Sequence, residues 1–143
     1  MTTRKPILCL DFDGVCHSYT SGWQGATVIS DPPVPGMWRF LEAAVQAFQV
    51  HIYSSRSHEI GGTEAMRRWF RQHAASQYRR DIVEKWLLFP LEKPPAMVTL
   101  DDRALTFTGV WPTVEALLAF EPWTRHRSPP CERPLEVSDG HRA

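Results

Sequence analysis

The chain carries no excess of either charge: sixteen Lys and Arg stand against sixteen Asp and Glu. Nothing global therefore attracts it to nucleic acid or to an anionic membrane. Cysteine is scarce and odd in number, at three, and the spacing of Cys9, Cys16 and Cys131 matches no metal-binding pattern. A disulfide framework is not expected, and a reducing, cytoplasmic setting is. Long apolar runs are missing too. The stretch before Asp11 is only a handful of apolar residues, too short for a signal-peptide core or a membrane span, so no membrane partner is expected. Internal repeats are absent. One local excess breaks the neutrality, the arginines 67, 68, 71, 79 and 80. They read as a solvated helix face or as a surface for a polyanion.

A chain of 143 residues fits one domain with a core of its own. Ile7 to Leu10 is a short apolar run stopping at Asp11, as expected of a strand buried on both faces of a parallel sheet. Residues 16–34 are rich in Ser, Thr, Gly and Pro, and read as a long excursion with a small β-flap around Ala26 to Ile29. After Pro35-Gly36, the spacing of Trp38, Phe40, Leu41, Ala44, Val45 and Phe48 predicts an amphipathic helix. Val50 to Tyr53 is a second strand, followed by Ser54-Ser55-Arg56. Thr63 is a plausible N-cap of a helix whose face carries Ala65, Met66, Trp69, Phe70 and His73. Tyr78 to Leu87 reads as helix or turn, or as the start of a strand from Trp86. Met97 to Leu100 is a further apolar run, ending at Asp101-Asp102. Leu105 to Thr108 suggests a short strand and Pro112 the first residue of a helix through Phe120. The expected division is a core over residues 1–121, with 16–34 as a lid loop, and a flexible Pro-rich tail over 122–143.

Strands alternating with helices predict an α/β fold: a three-layer, Rossmann-like, mostly parallel sheet with helices on both faces. Ligands bind such sheets beyond the carboxyl ends of the strands. Asp11, Ser54 and Asp101 each follow a predicted strand and would gather at one edge. Asp11, Asp13, Asp101 and Asp102 would then repel one another unless a cation held them, and hard oxygen ligands suit Mg²⁺ better than zinc. A carboxylate at the tip of the first strand can attack phosphorus, and a second, two residues later, can protonate the leaving oxygen and then activate water. Gly14 permits a sharp turn and brings amide donors near an anion. Ser54 and Lys93 offer a hydroxyl and a positive charge to a phosphoryl group. Ser55 and Arg56 read equally as substrate contacts or as local loop bonding.

This order of segments resembles the haloacid dehalogenase superfamily of phosphohydrolases. Its first motif matches Ile7 to Val15 with Asp11-Phe12-Asp13-Gly14, its second Val50 to Ser54, its third Lys93, and its fourth Met97 to Asp102. The Lys93-to-Arg103 stretch, with Phe107 and Gly109, also resembles small, often phage-associated members. The resemblance implies Asp11 as nucleophile, Asp13 as general acid/base, and Ser54 and Lys93 as phosphoryl ligands. It implies Mg²⁺ on the Asp11 carboxylate, the Asp13 carbonyl and Asp101, with Asp102 assisting directly or through water. The intervals between motifs leave no room for a full cap domain. An open site of this kind suits a nucleotide or a 3′-phosphorylated nucleic-acid end; a sugar or small-metabolite phosphate is the alternative. A non-catalytic phosphate- or partner-binding module is the alternative from outside the enzymes. Tyr19 and Trp23 are candidate stacking residues on the lid.

Overall fold

Four short apolar runs build one sheet in the computed structural model, which describes residues 3–126. They are β1 (Ile7–Leu10), β2 (Gln49–Ile52), β3 (Leu87–Leu88) and β4 (Val98–Leu100). All pair in parallel, in the order β3-β2-β1-β4. Parallel neighbours require crossovers, and the helices α1 (Met37–Ala47), α2 (Gly62–His73) and α3 (Gln77–Asp81) lie between the strands. The chain is therefore α/β, as the alternation predicts.

The core follows from side-chain periodicity. Leu8 and Leu10 of β1 and Val50 and Ile52 of β2 alternate onto one face of the sheet. They join Trp38, Leu41, Ala44 and Val45 of α1 and Met66, Trp69 and Phe70 of α2 in a single apolar cluster. Phe12 is at its centre, with Trp69 edge-on at 5.0 Å and Phe70 at 5.8 Å. Ile82 and Val83 enter the same cluster from a wide helical turn over Ile82–Trp86, which carries α3 into β3. Cys9 and His51 point to the opposite face and are not part of it. Among the described residues the helical cover expected on both faces is thus packed on one, because α4 (Val114–Leu118) buries no residue.

Several local expectations shift. Helix α2 starts at Gly62, capped by Gly61 at φ 76, rather than at Thr63. Gly62 is enclosed: a Cβ there would meet the Arg56 carbonyl oxygen at 1.8 Å. No strand forms around 26–29 or at 105–108. The excursion is an irregular loop held by side chains from elsewhere, and 105–112 runs over the surface with Leu105, Phe107, Val110 and Trp111 exposed. Three of the arginines of α2 and α3 are held in separate local contacts. Arg71 pairs with Glu84, Arg79 with Glu42 at 2.7 Å, and Arg67 stacks on Phe89. Among the described residues no helix is long and apolar enough to cross a membrane.

The tail expectation also changes. Pro122 is buried, and a 3₁₀ turn over Trp123–His126 docks on the body of the protein, with Trp123 Nε1 donating to the Gly14 carbonyl at 2.7 Å. The remainder of the tail, with Cys131, lies outside the described residues.

Candidate functional site: a carboxylate cluster at the strand ends

Parallel pairing brings the ends of β1 and β4 together, and the Asp11 amide donates to the Leu100 carbonyl at 2.9 Å. Asp11, Asp101 and Asp102 converge there, each with a carboxylate oxygen within 4.8 Å of the others. Their environments differ. Asp101 is exposed, and its Oδ1 accepts from the Arg103 amide at 2.8 Å. The Asp102 side chain is 3% exposed, and its Oδ1 is buried with no hydrogen-bond partner. Asp11 Oδ1 accepts from the Phe12 amide at 2.8 Å. Burial first, then the hydrogen-bond contact with Asp102 and the charge of Asp101, push the Asp11 carboxyl up to about 8.

Three converging carboxylates with an orphaned buried oxygen fit a hard divalent cation such as Mg²⁺. A buried, unpartnered carboxylate oxygen is costly, and a cation is the partner this all-oxygen set would accept. Gly14 makes the approach of Asp102 possible. A Cβ on Gly14 would lie 2.3 Å from Asp102 Oδ2, and the residue sits at φ 81, where side chains are disfavoured. Its amide donates to the His17 carbonyl at 2.8 Å and closes the turn that follows Asp13.

The Asp13 carboxylate is held in a hydrogen-bond network of its own. His17 Nε2 accepts from the Asp31 amide at 3.1 Å, and a backbone N–H can only donate. The neutral ring therefore carries its proton on Nδ1 and donates it to Asp13 Oδ1 at 2.8 Å. Arg56 grips the same carboxylate with both arms of its fork, Nε to Oδ2 at 2.9 Å and Nη2 to Oδ1 at 3.1 Å. Burial alone would raise the Asp13 carboxyl, but the His17 and Arg56 contacts outweigh it and hold it below its usual range.

Arg56 is fully buried, and its Nη1 donates to the carbonyls of Gly25, Ala26 and Val28 at 2.8 to 3.2 Å. Of its two readings, substrate contact or loop bonding, the geometry assigns the second: Arg56 links Asp13 to the lid. Asp31 pins the other end of the lid. Its carboxylate accepts from the Ser21 amide and hydroxyl at 2.8 and 2.6 Å, and its carbonyl accepts from Trp69 Nε1 at 2.9 Å.

Asp11, Asp13, Asp101 and Asp102 all line one cavity of about 280 Å³, whose wall is completed by Tyr19, Trp23, Ser55 and Arg103. Ser54 is buried behind this wall. Its hydroxyl accepts from the Arg56 amide at 3.0 Å, and its amide donates to Ser57 Oγ at 3.0 Å, so it caps the 3₁₀ turn Ser55–His58. Lys93 is exposed and outside the lining. Sequence reasoning missed three residues: Asp31, Trp123 and the positioning role of His17. Only His17 carried a signal, its four-residue spacing from Asp13.

No protein-family model matches the chain, and comparison with curated proteins and with solved structures likewise gave no match.

Proposed function

We propose that this protein is a Mg²⁺-dependent phosphomonoesterase of the haloacid dehalogenase type, with Asp11 as its nucleophile. The observation that carries the reading is the Asp11–Asp101–Asp102 cluster, in which Asp102 carries an orphaned buried oxygen, opening on the same cavity as a fourth carboxylate, Asp13. Mg²⁺ held by Asp11, Asp101 and Asp102 would neutralise phosphate oxygens and allow an anionic nucleophile to approach.

The chain's own residues divide the remaining work. An Asp11 oxygen forms a bond to phosphorus as the bond to the ester oxygen breaks, and a water gives that leaving oxygen its proton, because His17 and Arg56 hold Asp13 as a carboxylate. The hydroxide left by that water later recovers a proton from Asp13, which takes it from a second water. The resulting hydroxide attacks phosphorus, and the Asp11–phosphorus bond breaks to return a free carboxylate and inorganic phosphate. His17 and Arg56 fix the Asp13 carboxylate for the second step. Ser55 and Arg103 supply donors along the wall, and Lys93 adds positive charge from outside it.

The test is hydrolysis of p-nitrophenyl phosphate in Mg²⁺. Asp11→Asn should lose at least about a thousandfold in kcat, in keeping with removal of a nucleophile. Asp13→Asn should accumulate a covalent phosphoryl adduct, seen by intact-mass analysis. Undiminished turnover by a folded Asp11→Asn protein overturns the proposal.

A further inference from the structure

A second cavity, of about 540 Å³, adjoins the first, and Tyr19 and Arg103 belong to the walls of both. The two differ sharply in charge. The first holds four carboxylates and Arg103. The second is lined by Arg103, Arg125 and the hydroxyl residues Ser18, Thr20 and Thr124, with no acidic residue in its lining among the described residues. A space of this size exceeds what one phosphate needs and lies in the range that takes small organic ligands, about 300–1,000 Å³.

Two further observations indicate that this wall is built. Thr124 and Arg125 belong to the 3₁₀ turn that Trp123 anchors on Gly14 at 2.7 Å, next to the catalytic Asp13. Tyr19, between the cavities, is the one described non-glycine residue with positive φ, at 59. Such a conformation is disfavoured for a bulky side chain and persists where the surroundings fix it.

We infer that the second cavity is a subsite for a second phosphate group carried by the leaving group of the substrate. The scissile phosphate occupies the acidic cavity, the body of the leaving group passes Tyr19, and its further phosphate meets Arg103, Arg125 and the hydroxyls. The substrate class is then a bisphosphorylated nucleoside-sized ester or the phosphorylated end of a nucleic acid, whose next phosphodiester supplies the same chemistry. This rests on the phosphohydrolase reading of the first cavity.

The test compares ligands by calorimetry in Mg²⁺ on the full-length Asp11→Asn protein, so it does not depend on turnover. Adenosine 3′,5′-bisphosphate should bind about tenfold or more tightly than adenosine 3′-monophosphate, the scale of one charge-assisted contact. Arg125→Ala should bring the ratio close to one, whereas Arg125→Lys should keep most of it. Thr124→Ala should lower it independently. Equal affinity for the two ligands, or a ratio unchanged in Arg125→Ala, overturns the subsite. A 3′-phosphorylated trinucleotide separates the sources. Binding tighter than the bisphosphate's identifies a nucleic-acid end, and weaker binding identifies a small bisphosphate; either keeps the inference. Absence of turnover by the wild-type protein would count against the phosphohydrolase reading and leave the ligand ratio to be judged on its own.

Discussion

Replacing Arg56 by alanine tests the link between Asp13 and the lid. The change removes two charge-assisted hydrogen bonds to Asp13, at 2.9 and 3.1 Å, and three to lid carbonyls. The Asp13 side chain is only 14% exposed, so it would keep its charge with His17 as its remaining partner. Removing one side of such a pair costs about 3–5 kcal/mol. The lid carbonyls add little, because Gly25, Ala26 and Val28 are accessible enough for water to replace the guanidinium. A cost of that size is a large part of the roughly 5–15 kcal/mol that holds a domain folded. Urea unfolding followed by tryptophan fluorescence measures it, and limited proteolysis within 16–34 reports release of the lid. Arg56→Lys keeps the charge without the fork and should fall between the wild type and alanine. Adding Asp13→Asn to Arg56→Ala should recover part of the loss, since the stranded charge is then gone. A cost below about 1 kcal/mol, or strict additivity in the double variant, would refute the argument.

Gly14→Ala should displace Asp102 and add roughly 1 kcal/mol of left-handed backbone strain, so Mg²⁺ affinity by calorimetry should fall with only modest loss of stability. An unchanged affinity would remove Asp102 from the metal site. Mg²⁺ at a hundred times its dissociation constant should stabilise the wild-type protein by about 2.7 kcal/mol, and EDTA should reverse it; Asp101→Asn/Asp102→Asn should abolish the shift. Asp31 gives a pH test. Burial raises its carboxyl, but the Ser21 bonds and other contacts outweigh that and hold it below its ordinary value of 3.8. Its stabilisation is therefore present above pH 3.8 and fades as pH falls through the lower folded value. Asp31→Asn should cost about 1–3 kcal/mol at pH 7 and flatten the acid limb of stability below pH 4; an identical limb in both proteins would exclude this role.

Much of the architecture was legible because it depends on local pattern. Ile7 to Leu10, Val50 to Ile52 and Val98 to Leu100 are apolar runs with an acid or hydroxyl just beyond them, and parallel pairing alone brings Asp11 to Asp101 and Asp102. The lid was not legible, since its shape is set by Arg56, 28 to 31 residues away in sequence, bonding to carbonyls that any residue type supplies. For the same reason Arg56 read ambiguously. A guanidinium facing solvent and one buried against a carboxylate have the same letter. Leu105 and Phe107 illustrate the opposite failure: their apolar character predicts a strand, but they remain exposed without a neighbouring strand to pair with.

The bond from Trp123 to Gly14 gives the site an order of assembly. The contact spans 109 residues of sequence, whereas every carboxylate of the cluster is present once the chain reaches Asp102. Long-range closures of this kind form late in folding and are among the first to open. The acidic pocket can therefore exist before the basic wall arrives, and transient release of one short turn would widen the site without disturbing the sheet beneath it. Selectivity and chemistry would then have separate lifetimes within one small domain, and the broader specificity would belong to the open state.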